Sequence, residues 1–153
     1  VIFIDSDIPM YLVGAPHPNK EAPRRALELA ITRHDRLVTS AEVLQEILHR
    51  YHALRRPDAL QPAFDAVLGV VDEVFPITES DVRACKDLLL GVTPLSARDA
   101  LHVATMQSRG VHRIMSFDAG FDAVPWIERV YCSLAPARTQ PGSDALAKQG
   151  CRF

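Results

Sequence analysis

The stretch "VIFIDSDIPMYL" (residues 1–12) decides how the rest of the chain is read. Its first four residues are β-branched or aromatic, the composition of a short buried strand. They stop on Asp5, and a second carboxylate, Asp7, follows one residue later. Pro9 fits the first turn of a helix, where a missing N–H leaves no hydrogen bond unmade. Strand, acid, helix is therefore the expected order. Asp5 admits three readings: a metal ligand, a covalent nucleophile for phosphate chemistry, or the polar cap where a strand turns into a helix. Taken alone, the cap is the simplest. The other acids of the chain have to decide.

Further apolar runs repeat the pattern of the first: "RLVT" (36–39), "EVFPI" (73–77), "RIMSF" (113–117) and "IERVY" (127–131). Between them lie segments with helical periodicity: "EAPRRALELAITRH" (21–34), "AEVLQEILHRYHAL" (41–54), "LQPAFDAVLGVV" (60–71), "ESDVRACKDLLLG" (79–91) and "SARDALHVATMQSR" (96–109). Strands alternating with helices predict an α/β fold with a short parallel β-sheet of four to five strands sandwiched by helices. Runs that are apolar throughout fit strands buried on both faces. In such sheets ligands bind beyond the carboxyl ends of the strands. Asp118 follows "RIMSF" just as Asp5 follows "VIFI". Residues 1–131 are expected to form one domain. From Cys132 the composition shifts to Pro, Gly, Ser, Ala and Gln, so 132–153 is expected to be a flexible tail.

Bulk composition narrows the class without naming a function. A chain of 153 residues with 48% hydrophobic content suffices for a single domain with a real core. A net charge of −2 does not advertise a nucleic-acid binder, although a site that gathers acids can mask a basic groove in the total. Cys85, Cys132 and Cys151 are scattered, with no paired spacing, which suggests a reducing, cytoplasmic setting. No apolar run reaches the ~18 residues of a membrane span, and Asp5 interrupts any signal-peptide core.

Two further acids sit on helices. Thr39 and Ser40 are placed to cap the helix from Ala41, whose apolar stripe reads Val43, Leu44, Ile47, Leu48, Tyr51 and Leu54. Glu46 lies about 60° from the edge of that stripe, a border position able to reach over the sheet edge. Asp99 lies on a helix with apolar residues on most faces, which predicts burial. A buried acid needs an arginine, hydrogen-bond donors or a metal. His102, three residues on, is one candidate partner, whereas the neighbouring Arg98 is expected to point elsewhere.

Taken together, "FIDSDIPMYL", "LVTSAEVLQEIL", "SARDALHVATM" and "IMSFDAGFD" resemble the PIN-domain ribonucleases, and most of all the VapC-type toxins of bacterial toxin–antitoxin systems. The resemblance spans residues 1 to about 131. It implies an acidic quartet of Asp5, Glu46, Asp99 and Asp118, with Asp122 as an auxiliary acid. Asp5, Asp99 and Asp118 would be direct ligands of Mg²⁺ or Mn²⁺, and Glu46 would act through a water. Carboxylates with no His or Cys cluster suit such a hard cation. The resemblance further implies an RNA substrate cut to a 5′-phosphate and a 3′-hydroxyl, a cognate antitoxin and a homodimer formed through helices. The stretch 51–71, an apolar-rich helical pair broken by Pro57 and Pro62, is the expected seat of the partner helix. Two departures are mild: Ser6 where Thr is common, and Asp7 where many relatives have Asn. Asp7 is left with a supporting or capping role.

Two rival readings remain open at this level. "DSD" after a strand also resembles the first motif of haloacid-dehalogenase-like phosphatases, with Asp5 as nucleophile and Asp7 as acid–base. Thr39 or Ser40, Lys86, Asp118 and Asp122 would supply the later motifs. Against it, Ile8-Pro9 replaces the usual small or hydroxyl pair, and Glu46 and Asp99 would have no job. The second rival is a PIN-like binding module without activity, which loss of acids would mark; all four are present.

Overall fold

The computed structural model describes residues 1–14, 21–91 and 94–130; the expected tail 132–153 lies outside them. Five short strands, β1 (Ile2–Ile4), β2 (Leu37–Ser40), β3 (Glu73–Phe75), β4 (Arg113–Met115) and β5 (Glu128–Val130), form one sheet. Every pairing is parallel, and the spatial order is β3-β2-β1-β4-β5. Six helices flank it: α1 (Asp7–Val13), α2 (Glu21–Thr32), α3 (Ala41–Ala53), α4 (Leu60–Leu68), α5 (Glu79–Leu90) and α6 (Ala97–Ser108). Packing joins α1 to α2 and α4, α4 to α3, and α5 to α6.

The central strand is the one quoted first. Phe3 of β1 pairs with Val38 of β2 on one side and Ile114 of β4 on the other. All three side chains are fully buried, as the continuous apolar runs require. The chain winds outward from β1 through β2 to β3, then crosses back to place β4 on the other side of β1. That reversal leaves a crevice at the carboxyl ends of β1 and β4, where open parallel sheets bind their ligands. The edge strands depart from the expectation of burial on both faces. Glu73 of β3 is exposed and paired with Arg36, and β5 has no fully buried residue.

Two helices differ in detail from their predicted faces. In α3, Val43, Ile47 and Tyr51 are buried as expected, but Leu48 and Leu54 are 46% and 51% exposed. Glu46 is only 6% exposed, so it is a buried residue rather than a border one. The helix is turned to put this carboxylate, instead of Leu48, over the strand ends. In α6, Ala100, His102, Val103, Ala104, Thr105 and Met106 are buried, as predicted for a helix enclosed on most sides. Asp99, expected in that dry environment, is half-buried at the helix start. In the stretch 51–71 the prolines open structure instead of breaking it. Pro57 begins a 3-10 turn (Pro57–Ala59), and Pro62 falls in the first turn of α4. Tyr51, Ala59, Ala63 and Val67 belong to the core, leaving Leu54 and Leu68 outside.

Candidate active site

Each acid reaches the crevice by a different local device. Asp5 ends β1, and its N–H still donates to Met115 O of β4 at 3.1 Å, so the sheet ladder fixes its backbone. Its Oδ1 accepts from Ser6 N at 2.6 Å, and its Oδ2 lies 2.6 Å from Ser116 Oγ. Asp118 follows β4 and closes the next turn, its Oδ1 accepting from Gly120 N at 2.7 Å. A Cβ on Gly120 would come within 3.0 Å of that oxygen, which is why this turn suits glycine. The capping and ligand readings of Asp118 are therefore compatible, because Oδ2 takes no part in the turn bond. Asp99 forms a reciprocal capping box with Ser96, the N-cap of α6, whose Oγ lies 2.5 Å from Asp99 Oδ2. Glu46 projects from the second turn of α3, which Ser40 caps by accepting from Val43 N.

These four carboxylates share one cavity of about 310 Å³, lined by Asp5, Ser6, Asp7, Glu46, Ser96, Arg98, Asp99 and Asp118. Asp122 is not among its lining residues: it forms a two-point pair with Arg129, at 2.8 and 2.6 Å. An acid held this way is an anchor for the β5 side of the sheet, and the expected auxiliary role at the quartet is not supported by its position. A wider groove of about 710 Å³ adjoins the crevice, lined by Met10, Tyr11, Gly14, His49, Arg50, Tyr51, Ala53 and Leu54 and sharing Asp7, Glu46 and Arg98 with it.

The electrostatics show how much negative charge is packed here. Burial drives the Asp5 carboxyl above its usual range, against the pull of His102, Ser116 and Ser6. Burial and then the neighbouring Asp5 push Asp7 up to about 7. Asp7 Oδ2 accepts from Phe117 N at 2.7 Å and lies 3.1 Å from Ser116 Oγ, while Oδ1 is buried with no hydrogen-bond partner. Asp7 therefore ties α1 to the end of β4 and caps nothing. Glu46 behaves oppositely. Burial works to raise it, but close contact with His102, with help from Ser6 and Arg98, outweighs that and holds it below the usual carboxylate range. Arg98 Nε stands 3.8 Å from Glu46 Oε1, so this side chain turns into the site, contrary to expectation.

His102 is the member whose nearest partners lie on other elements, whereas the sequence offers Asp99, three residues before it on the same helix, as one candidate. Its Nε2 instead lies 3.4 Å from Glu46 Oε1 and 3.8 Å from Asp5 Oδ1. The signal was a histidine at an otherwise apolar position of an enclosed helix, but its neighbours come from β1 and α3 and could not be seen locally. Asp5, Glu46 and His102 each offer a ligand atom within 4.8 Å of the others. A donor set dominated by oxygen, with Asp7 Oδ1 buried and unpartnered beside it, fits a hard divalent cation. Such a cation would offset the burial, and the like-charge repulsion from Glu46 and Asp5, that raise Asp5 and Asp7 respectively.

Fold and site together define a class: a parallel α/β domain whose carboxylates, drawn from four elements, meet in an acidic crevice where the strand order reverses. Residues 2–127 match the PIN domain, and the chain belongs to the PIN-domain family. It is 58% identical over 130 residues to Ribonuclease VapC13 of Mycobacterium tuberculosis, covering 85% of this chain and 99% of that one. It is 41% identical over 118 residues to Ribonuclease VapC23 of the same species, covering 77% and 93%. The fold is also that of the M. tuberculosis VapC20 toxin described as cleaving the sarcin–ricin loop, with a TM-score of 0.70 at 24% identity over 84% of this chain and 98% of that one. The phosphatase reading falls with this membership. It gives Glu46 and Asp99 no task, yet both line the crevice beside Asp5.

Proposed function

We propose that this chain is a metal-dependent endoribonuclease, the toxin of a toxin–antitoxin pair, that hydrolyses RNA phosphodiester bonds in the acidic crevice. The observation that carries the reading is the convergence of Asp5, Glu46, Asp99 and Asp118 on one cavity from β1, α3, α6 and the turn after β4. The 58% identity to a VapC ribonuclease across nearly its whole length supports the same activity. Asp5, Asp99 and Asp118 would hold Mg²⁺ or Mn²⁺, and Glu46 would act through a water. When bound, the cation polarises the phosphate and lowers the pKa of water. The chain's own residues do the rest. Ser6, Ser116 and the sheet ladder hold Asp5 in place. Glu46, kept ionised by His102 and Arg98, orients the attacking water and accepts its proton. Attack at phosphorus expels the 3′-oxygen, leaving a 5′-phosphate and a 3′-hydroxyl. Arg98 and Arg50 supply positive charge where the adjoining groove meets the crevice, suited to the backbone of a single strand.

The test is to incubate the protein with total RNA, with and without Mg²⁺ or Mn²⁺, and map the new 5′ ends. Discrete cuts that need the metal and disappear in Asp5→Asn, with an unchanged melting transition, are expected. An Asp5→Asn protein that cuts RNA as well as the parent would refute the assignment. The proposal extends to a cognate antitoxin occupying the groove, to a homodimer and to a cytoplasmic site of action. No helix among the described residues is long and apolar enough to cross a membrane. Co-expression with the antitoxin should restore growth, and light scattering should give twice the chain mass.

A further inference from the structure

His102 enters the chemistry described so far only through its effect on Glu46, yet the fold places it with care. It is fully buried in the middle of α6, its ring tilted against Phe3 of β1 with centroids 5.6 Å apart. Nδ1 has no hydrogen-bond partner, and Nε2 lies close to carboxylates without a well-aligned bond to either. Leaving a buried imidazole unpaired is costly, so an apolar side chain would serve mere packing better. Nε2 faces two carboxylates from different elements, Glu46 at 3.4 Å and Asp5 at 3.8 Å. Those two acids are each 6% exposed and repel one another. Asp5 has the serines at 6 and 116 on its oxygens, while Arg98 approaches Glu46 from the solvent side at 3.8 Å. From within α6, His102 reaches both.

We propose that His102 is a positioning residue of the cation site: from beneath, its Nε2–H bridges Asp5 and Glu46 and keeps both carboxylates turned into the crevice, without itself binding the cation. This rests on the reading of the acids as a cation site. Groups that orient metal ligands in this way typically alter affinity by 10–100-fold when removed. The role would explain why α3 is turned to bury a glutamate and why α6 carries a histidine among apolar neighbours.

The probe is Mn²⁺ alone, its free fraction counted by electron paramagnetic resonance, with thermal melts recorded in parallel. His102→Leu should weaken Mn²⁺ binding by about 10–100-fold. His102→Gln, whose amide N–H can stand near the place of Nε2–H, should recover most of that loss. Pulsed measurements on the Mn²⁺-loaded parent should show no coupling to an imidazole nitrogen. Should His102→Leu fail to fold, His102→Asn, too short to reach both acids, replaces it in the comparison with Gln. Equal Mn²⁺ affinity in the parent and the Leu or Asn variant would overturn the proposal. So would a Gln variant no better than its apolar or shorter counterpart, or a directly coordinated imidazole in the parent. A parent that binds no Mn²⁺ overturns the cation reading itself, and the positioning role with it.

Discussion

Ser116 has one hydroxyl proton and two carboxylates to serve, Asp5 at 2.6 Å and Asp7 at 3.1 Å. The arrangement works because Asp7 also takes the Phe117 N–H, and an amide oxygen could accept that bond equally well. Asp7→Asn should therefore keep both fold and RNA cleavage, whereas Asp7→Ala should lose about 1 kcal/mol in denaturant unfolding by removing an acceptor of the part-buried Phe117 N–H. Asp122→Asn should leave the cleavage rate unchanged, because its partner is Arg129 rather than anything in the crevice. Asp5 and Asp118 were legible because each follows an apolar run, and Asp99 because it sits on an apolar helix. Glu46 was legible only through resemblance, since its periodicity marked it as half-solvated. The parts played by Ser116, Arg98 and His102 depend on neighbours from other elements, which no local pattern encodes.

Among the elements, α5 and α6 form the most extensive helix pair, and a buried ion pair clasps them. Asp81 of α5, 1% exposed, takes Arg109 Nη1 at 3.0 Å and Ser108 Oγ at 2.7 Å from the end of α6. Arg109 also donates to Pro76 O and lies over the Phe75 ring at 5.0 Å, so β3 is held by the same group. Burial tends to raise the Asp81 carboxyl, but Arg109, Ser108 and Thr78 outweigh it and hold it far below its usual range. A depressed folded-state pKa contributes stability that is present above the unfolded value, near 4, and is lost as pH falls through the folded one. The melting temperature of the parent should thus drop on acidification below about pH 4, and that of Asp81→Asn should drop less steeply over the same window. At neutral pH, Asp81→Ala should cost about 1–3 kcal/mol by removing a shared acceptor of Arg109 and Ser108. Strand and helix order was legible throughout, from apolar runs and caps such as Thr78 and Ser96. Helix rotation was not. Leu48 and Glu46 exchange places relative to the predicted stripe because α3 answers to the crevice as well as to the core.

At the scale of the whole molecule, a net charge of −2 offers RNA little general attraction. On the proposed function, binding would depend on a few cations beside the crevice, chiefly Arg50 and Arg98. With two phosphates neutralised, the logarithm of the RNA association constant should fall with the logarithm of salt concentration at a slope of about −1.4. Filter binding of single-stranded RNA to Asp5→Asn would measure it, and a slope several times steeper would point to a broader basic surface. The reversal of strand order beside β1 has one more consequence, which concerns time. Residues 5, 46, 99 and 118 lie far apart along the chain. β4 lies beside β1 although β2 and β3 come between them in the chain. A polypeptide emerging from the ribosome cannot assemble its cutting centre until that late strand docks. The four acids thus come together only once residues from both halves of the sheet have been made.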